Sequence, residues 1–351
     1  VEVTKFRHAA EWERHEATWL GWPVNAKDWP GKLAPIPWVY GEIVRKLAEG
    51  EIVRIIVPDA NVERTARRLL AKVGANFGNV EFFRFPSDRG WTRDSGPMFT
   101  VNTSDGAPTV MNFRFNAWAR YPNWKKDVKT HSRAAKALGL QLAIPELNGR
   151  AIVLEGGAID TNGRGSILTT EECMLDQVQQ VRNPGFTRGD MEEVFRKWLG
   201  APNTIWLGKG IAGDDTHGHV DDLCRFVNPT TVVLCSESDS SDANYSVLQE
   251  NKDRLQDARL ETGGKIEVID LPMPRPLIFD GVRLPASYAN FYIGNAYVLV
   301  PTFNDPHDRI ALGILSELFR DRSVVGIHAV DLVWGFGTIH CLTHEQPAGK
   351  I

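Results

Sequence analysis

Apolar residues recur at helical spacing in 187–199 (TRGDMEEVFRKWL), where Met191, Val194, Phe195, Trp198 and Leu199 fall at i, i+3, i+4, i+7 and i+8. Thr187 can cap that helix and Gly200 can stop it. The same pattern predicts helices over 37–49, with Pro37 at its start and Gly50 at its end, and over roughly 124–138, 243–258 and 308–319. A short strand-like run follows each: EIVRIIV (51–57), LQLAI (140–144), NTIWLG (203–208), KIEVIDL (265–271) and SVVGIHA (323–329). Ahead of most helices lies a pair of strand candidates, such as AIVLEGGAID with GSILTT, or HVDDLCRFV with TVVLCS.

The repeated unit is therefore strand, strand, helix, strand. It begins near Asp94, Glu155, His219, Asn290 and Ile339, and the last copy must be completed by the N-terminal HEATWLGWP and the helix after it. An extra helix over about 61–73 (NVERTARRLLAKV) interrupts the first unit. Self-similar units of roughly 50–70 residues predict a closed radial array, because each needs neighbours to bury its apolar face. The expected fold is an α/β propeller with five-fold pseudo-symmetry, built from ββαβ units and forming one catalytic domain over 1–351; an ordinary three-layer α/β sheet is the alternative. No stretch reads as an interdomain linker.

Composition narrows the function classes. The chain has 351 residues, 42% hydrophobic and 24% charged, with no low-complexity block, which is the profile of a packed globular protein. A net charge of −4 gives no basic footprint, so no nucleic-acid partner is expected and a small cationic substrate fits better. No run approaches the roughly 18 apolar residues needed to span a bilayer, and VEVTKFRHAAEWERHE lacks the order of a secretory signal. The cysteines, Cys173, Cys224, Cys235 and Cys341, show no CxxC spacing, which disfavours structural zinc or a disulfide scaffold and points to the cytoplasm. Homo-oligomerisation is compatible with a chain of this composition.

Four polar stretches open the units: WTRDSGP (91–97), LEGG (154–157), DDTHGHVDD (214–222) and GTIHC (337–341). In a radial array they converge on one pocket. Singly each has an ordinary reading: Asp94 beside Arg93 as a turn ion pair, Glu155 as a hairpin residue, Cys341 as a small buried side chain. His217 and His219 with Asp221 and Asp222 also resemble a metal cluster. Together, an unpaired Cys, a His and three carboxylates form the set that attack on a guanidinium requires. Carboxylates grip the planar cation through paired hydrogen bonds, a thiolate adds to its carbon, and a histidine moves the protons.

The segments EWERHEATWLGWP, WTRDSGPMF, LEGGAIDTNGRGSILTTEEC, HGHVDD, LPASYANFYIGNAYVLVPTFNDPHD and GTIHCLTHEQP run from residue 11 to 347. They resemble the agmatine deiminase and bacterial peptidylarginine deiminase family of guanidine-modifying enzymes. The resemblance implies the same five-fold propeller (pentein), no metal and no organic cofactor. It places the nucleophile on Cys341, the acid/base histidine on His219 and the guanidinium-holding carboxylates on Asp94 and Asp221. Glu155 falls on the glutamate expected to orient and charge His219, and Trp91 is a candidate wall for the guanidinium. Two departures stand out: Phe336 in WGFGTIHC, where the family usually has a run of glycines, and His217 in HGHVDD, which adds a titratable group near the site.

The resemblance implies hydrolysis of agmatine to N-carbamoylputrescine and ammonia, with conversion of peptidylarginine to citrulline as the alternative and amidino transfer as a further option within the fold. Two other classes remain open: a metal-dependent hydrolase on His217, His219 and Asp221, and a propeller scaffold without catalysis. His15, His131, His307, His328, His340 and His344 take a structural or surface reading.

Overall fold

Met98–Asn102 runs antiparallel to Pro108–Met111, and the helix Thr130–Leu138 then returns the chain to Gln141–Ala143, parallel to Pro108–Met111. The structure is a computed structural model that describes residues 4–349. A parallel pair cannot be joined by a tight turn, so a helix carries each crossover. The same order recurs in Asp160–Thr161, Ser166–Thr170, helix Arg188–Val194 and Asn203–Leu207. It recurs again in Cys224–Phe226, Thr231–Ser236, helix Ala243–Asp257 and Glu267–Pro272. The fourth copy is Tyr292–Ile293, Tyr297–Thr302, helix His307–Leu318 and Ser323–His328.

The fifth copy joins the two ends of the chain. Thr343–Pro347 pairs antiparallel with His15–Gly21, the helix Ile36–Leu47 comes next, and Ile52–Val57 lies parallel to His15–Gly21. These five sheets are the five-fold α/β propeller that the repeat predicts. The extra helix, Ala60–Lys72, does not interrupt a unit. It leads to Val80–Arg84, which adds a fourth strand to the closing sheet.

The central strands read as nearly continuous apolar runs because both faces are covered. Ile52–Val57 (IVRIIV) buries Val53, Ile55, Ile56 and Val57, and Thr231–Ser236 buries Val232, Val233, Leu234 and Cys235. Two elements differ from their expected extent. The helix predicted from about 124 starts at Thr130, after a 3₁₀ turn at Asp127–Lys129 whose Asp127 carboxylate accepts from the Asp88 amide at 2.6 Å. The strand expected through AIVLEGGAID shrinks to Asp160–Thr161, because Gly156–Ala158 winds into a 3₁₀ turn.

That turn has counterparts in other units. Thr92–Ser95, Val220–Asp222 and Ile339–Leu342 are also single helical turns placed just before the opening strand. Hydrogen bonds link these segments to one another. Gly157 N donates to Asp94 Oδ1 at 2.9 Å, Asp221 Oδ2 meets His340 Nδ1 at 2.7 Å, and Asn290 Nδ2 reaches Asp222 Oδ1 at 2.9 Å. Residues from all five units thus meet in one place.

Candidate active site

Cys341 lies on the turn Ile339–Leu342 at the buried end of a cavity of about 430 Å³, together with Asp94. Trp91, Trp118 and Phe336 also line this cavity, and the exposed Lys27, Pro30 and Pro122 mark its rim. The Cys341 Sγ accepts from Asn290 Nδ2 at 3.1 Å and lies 3.8 Å from Asp221 Oδ2. Asn290 is fixed in turn, since its Oδ1 accepts from the Thr338 hydroxyl at 2.7 Å and the His340 amide at 3.1 Å.

The carboxylates surround the sulfur. Asp94 is buried; its Oδ2 accepts from the Trp118 indole at 2.8 Å and lies 3.8 Å from His219 Nδ1. Asp221 is also buried, with Oδ2 on His340 and Oδ1 without a partner. Gly157 makes this crowding feasible: a Cβ there would fall 2.6 Å from His219 Nδ1 and 3.0 Å from both Asp221 Oδ2 and Asp94 Oδ1. Only glycine lets the chain pass this close to three functional groups.

Burial pushes the Cys341 thiol well above its usual range, and the negative charges of Asp221, Asp222 and Asp94 push it further against the Asn290 hydrogen bond. Burial opposes a charge on His219, yet Asp94, Cys173 and Asp221 carry its pKa well above the usual imidazole value. Both shifts point the same way, favouring the thiol form of Cys341 and the imidazolium form of His219. Burial also raises Asp94, against the pull of His219. Asp221 stays low despite its burial because His340 donates to it.

Glu155 sits behind His219. Its Oε1 accepts from Arg182 Nε at 3.0 Å, both side chains are fully buried, and Oε2 has no hydrogen-bond partner. Arg182 also donates to the Thr216 carbonyl. Single candidate ligand atoms of Glu155, Cys173 and His219 lie within 4.8 Å of one another, so Cys173 joins Glu155 against the imidazole. Trp91 is buried beside Trp29, with ring centroids 5.1 Å apart. A Cβ on Gly337 would meet Trp91 at 2.9 Å and Cys341 Sγ at 3.1 Å, so that glycine lets Trp91 and Cys341 approach each other.

All six residues singled out from the sequence, Cys341, His219, Asp94, Asp221, Glu155 and Trp91, are thus brought together. His217 is not. It adopts φ 68° and turns outward, with Nε2 2.8 Å from Asp176 Oδ2 and Nδ1 3.9 Å from Glu172 Oε1. It neither lines the Cys341 cavity nor converges with His219 and Asp221 as a metal triad would require. His340, given a structural or surface reading, is a buried structural bridge from Asp221 to Glu11 Oε2, 2.7 Å on each side. Asn290, Trp118, Cys173 and Arg182 also escape the sequence reading of the site. For Asn290 and Cys173 a signal existed, because both lie inside the long segments that carry the family resemblance.

A sequence model of the Porphyromonas-type peptidyl-arginine deiminase family matches residues 7–347. The chain belongs to this family. It is 33% identical to the agmatine deiminase of Pseudomonas aeruginosa strain LESB58, covering 98% of this chain and 96% of that one. Among solved structures, the agmatine deiminase of Enterococcus faecalis superposes with a TM-score of 0.89 at 27% identity, covering 98% of this chain and 96% of the other. The agmatine deiminase of C. jejuni with substrate bound gives a TM-score of 0.86 at 29% identity, covering 98% and 97%. No helix among the described residues is long and apolar enough to cross a membrane.

Proposed function

We propose that this protein is an agmatine deiminase that hydrolyses the guanidinium of its substrate through a covalent intermediate on Cys341. The observation that carries the reading is that Cys341 and Asp94 line the closed end of a cavity sized for a small ligand, with Asp221 Oδ2 3.8 Å from the Cys341 sulfur. A guanidinium bound there meets the Asp94 carboxylate on the cavity wall and the negative charge of Asp221 behind Cys341. Its positive charge offsets the carboxylate charges that hold the thiol proton on. Substrate binding thereby favours the thiolate that attacks it.

The chemistry has two halves. As the cation binds, Cys341 releases its thiol proton to solvent; the thiolate adds to the guanidinium carbon, His219 gives a proton to one amino group, and ammonia leaves, which generates an S-alkylthiouronium. His219, now neutral, takes a proton from water as the oxygen adds to the same carbon; the C–S bond breaks and a ureido product leaves with the thiol restored. Glu155 and Cys173 lie beside the imidazole, whose two ring nitrogens have no hydrogen-bond partner, while Trp91 supplies a flat wall for the cation. All four cysteines are free, which fits a cytoplasmic enzyme.

Ureido-product formation from agmatine, free arginine and a blocked arginine peptide, run beside a Cys341→Ala control, tests this reading. The expected result is turnover of agmatine above the other two and none by the variant. Turnover by Cys341→Ala at the wild-type rate would overturn the covalent route.

A further inference from the structure

Ala117, Trp118 and Ala119 are consecutive residues with positive φ, at 51°, 59° and 51°, and none is glycine. A left-handed run of L-residues costs free energy at each step and persists only where its surroundings over-determine it. Here Asn116 Oδ1 accepts from the Ala119 amide at 2.9 Å, the Ala117 carbonyl accepts from the Arg120 amide at 3.0 Å, and Gln180 Nε2 donates to the Trp118 carbonyl at 3.1 Å. The Trp118 ring packs edge-on against Phe115 and Tyr121, with centroids 5.2 and 5.9 Å away. So held, the buried Trp118 lines the Cys341 cavity and its indole nitrogen donates to Asp94 Oδ2 at 2.8 Å.

The acceptor of that bond is crowded by groups of its own sign. Asp221, Asp222 and Glu155 all lie close enough to act on Asp94, as does the Cys341 thiol, and His219 is the cation that opposes them. Burial raises the Asp94 acid, His219 lowers it, Asp221 and Glu155 raise it again, and the Gly157 amide lowers it. A guanidinium needs the ionised form. Trp118 donates to one carboxylate oxygen and Gly157 N to the other at 2.9 Å, which fixes the plane of the group. A carboxylate has about four lone-pair sites, so each oxygen keeps one for the cation. Filling the space beside Asp94 would need only a ring; the N–H is the part of Trp118 that packing alone does not call for.

We propose that Trp118 is a positioning residue for the reaction: its indole N–H holds Asp94 in the ionised, fixed form that grips the guanidinium, and the left-handed turn delivers it. This role rests on the hydrolase reading above and adds the group that keeps one of its carboxylates ready. Trp118 acts through Asp94 and takes no part in bond making.

Agmatine affinity is measured by calorimetry from acid to neutral pH on Cys341→Ala protein, in which the thiol can neither react nor titrate, and on the same protein with Trp118→Phe. Losing a hydrogen bond to a charged acceptor should raise the pH at which binding fails by about one unit or more. At the acid end the Trp118→Phe protein should bind about tenfold more weakly, and the two affinities should converge as pH rises. A loss of equal size at every pH is what a space-filling ring would give, and it overturns the proposal. So does an unchanged profile, or agmatine binding by neither protein at any pH. If Trp118→Phe does not fold, Asn116→Ala, which removes the cap on the Ala119 amide, replaces it. A smaller shift of the same sign then supports the role of the turn, and a pH-independent loss or no change overturns it. The hydrolase reading fails by a different result, absence of agmatine turnover by the wild type, and the binding comparison decides Trp118 in either case.

Discussion

Phe336 occupies a backbone position that glycine usually fills. It stands at φ 65° and ψ 27° after the turn Leu332–Gly335, between Gly335 and Gly337, and lines the Cys341 cavity. A bulky L-residue in the left-handed region costs about 1–2 kcal/mol, which calls for a return at the site. Neither neighbouring glycine can supply a side chain, because a Cβ on Gly335 would meet Trp29 at 2.6 Å and one on Gly337 would meet Trp91 at 2.9 Å. The ring at 336 therefore shapes the wall that its neighbours cannot. Phe336→Gly is expected to change stability by less than about 1 kcal/mol, because relief of strain offsets lost contacts. It should raise the KM for agmatine several-fold with kcat little changed, measured by steady-state kinetics beside urea unfolding. The sequence makes Phe336 visible as a departure from pattern. His217 and His219 are harder to separate by reading, because a positive φ at His217 and Gly218 breaks the alternation that would assign their faces.

The elements were legible to the extent that apolar periodicity marks them. The helices Arg188–Val194, Ala243–Asp257 and His307–Leu318 fall where the spacing places them, and Ile52–Val57 and Ser323–His328 match their strands within a residue or two. The polar turns Thr92–Ser95 and Gly156–Ala158 carry no periodicity, since tertiary hydrogen bonds to neighbouring units shape them. One helix also hides a pH-sensitive group. His131, in Thr130–Leu138, is buried with Nδ1 unpartnered, and burial pulls its pKa from 6.5 down to about 4. A histidine neutral in the fold and protonated in the unfolded chain contributes stability fully above pH 6.5, and that stability is lost as pH falls through about 4. The contribution is about 3 kcal/mol. His344, pulled to about 3 by burial and by Arg93, steepens the same acid limb. His131→Leu should flatten the decline of unfolding free energy between pH 6.5 and 4, followed by urea titration at each pH; an unchanged slope would contradict this account of the helix.

At the scale of the whole molecule, ring closure and the proposed chemistry depend on the same segment. Thr343–Pro347 pairs with His15–Gly21 and continues directly from the turn that carries Cys341. Beside the active site lies a buried ion network drawn from separate units. Glu11 binds Arg93 Nη2 at 3.0 Å and Arg225 Nη2 at 2.9 Å, Arg93 Nη1 reaches Glu345 at 2.8 Å, and Arg225 Nε lies 3.4 Å from Asp160. His340 connects Glu11 to Asp221, so the carboxylate beside Cys341 is positioned through charges from distant parts of the chain. The repeat predicted that the units would converge, and the motifs indicated which residues would meet. The bridges, Glu11, His340 and Asn290, lie inside the segments that carry the resemblance, but their roles exist only once the ring has closed. The central claim is that Cys341 becomes covalently bonded to the guanidinium carbon during turnover. Acid quenching during agmatine turnover, followed by mass spectrometry of the peptide that contains Cys341, tests it most directly. The account predicts an adduct of agmatine less ammonia on Cys341 that disappears as substrate is exhausted; steady agmatine hydrolysis with Cys341 unmodified at every quench time, and undiminished in Cys341→Ala, would contradict it.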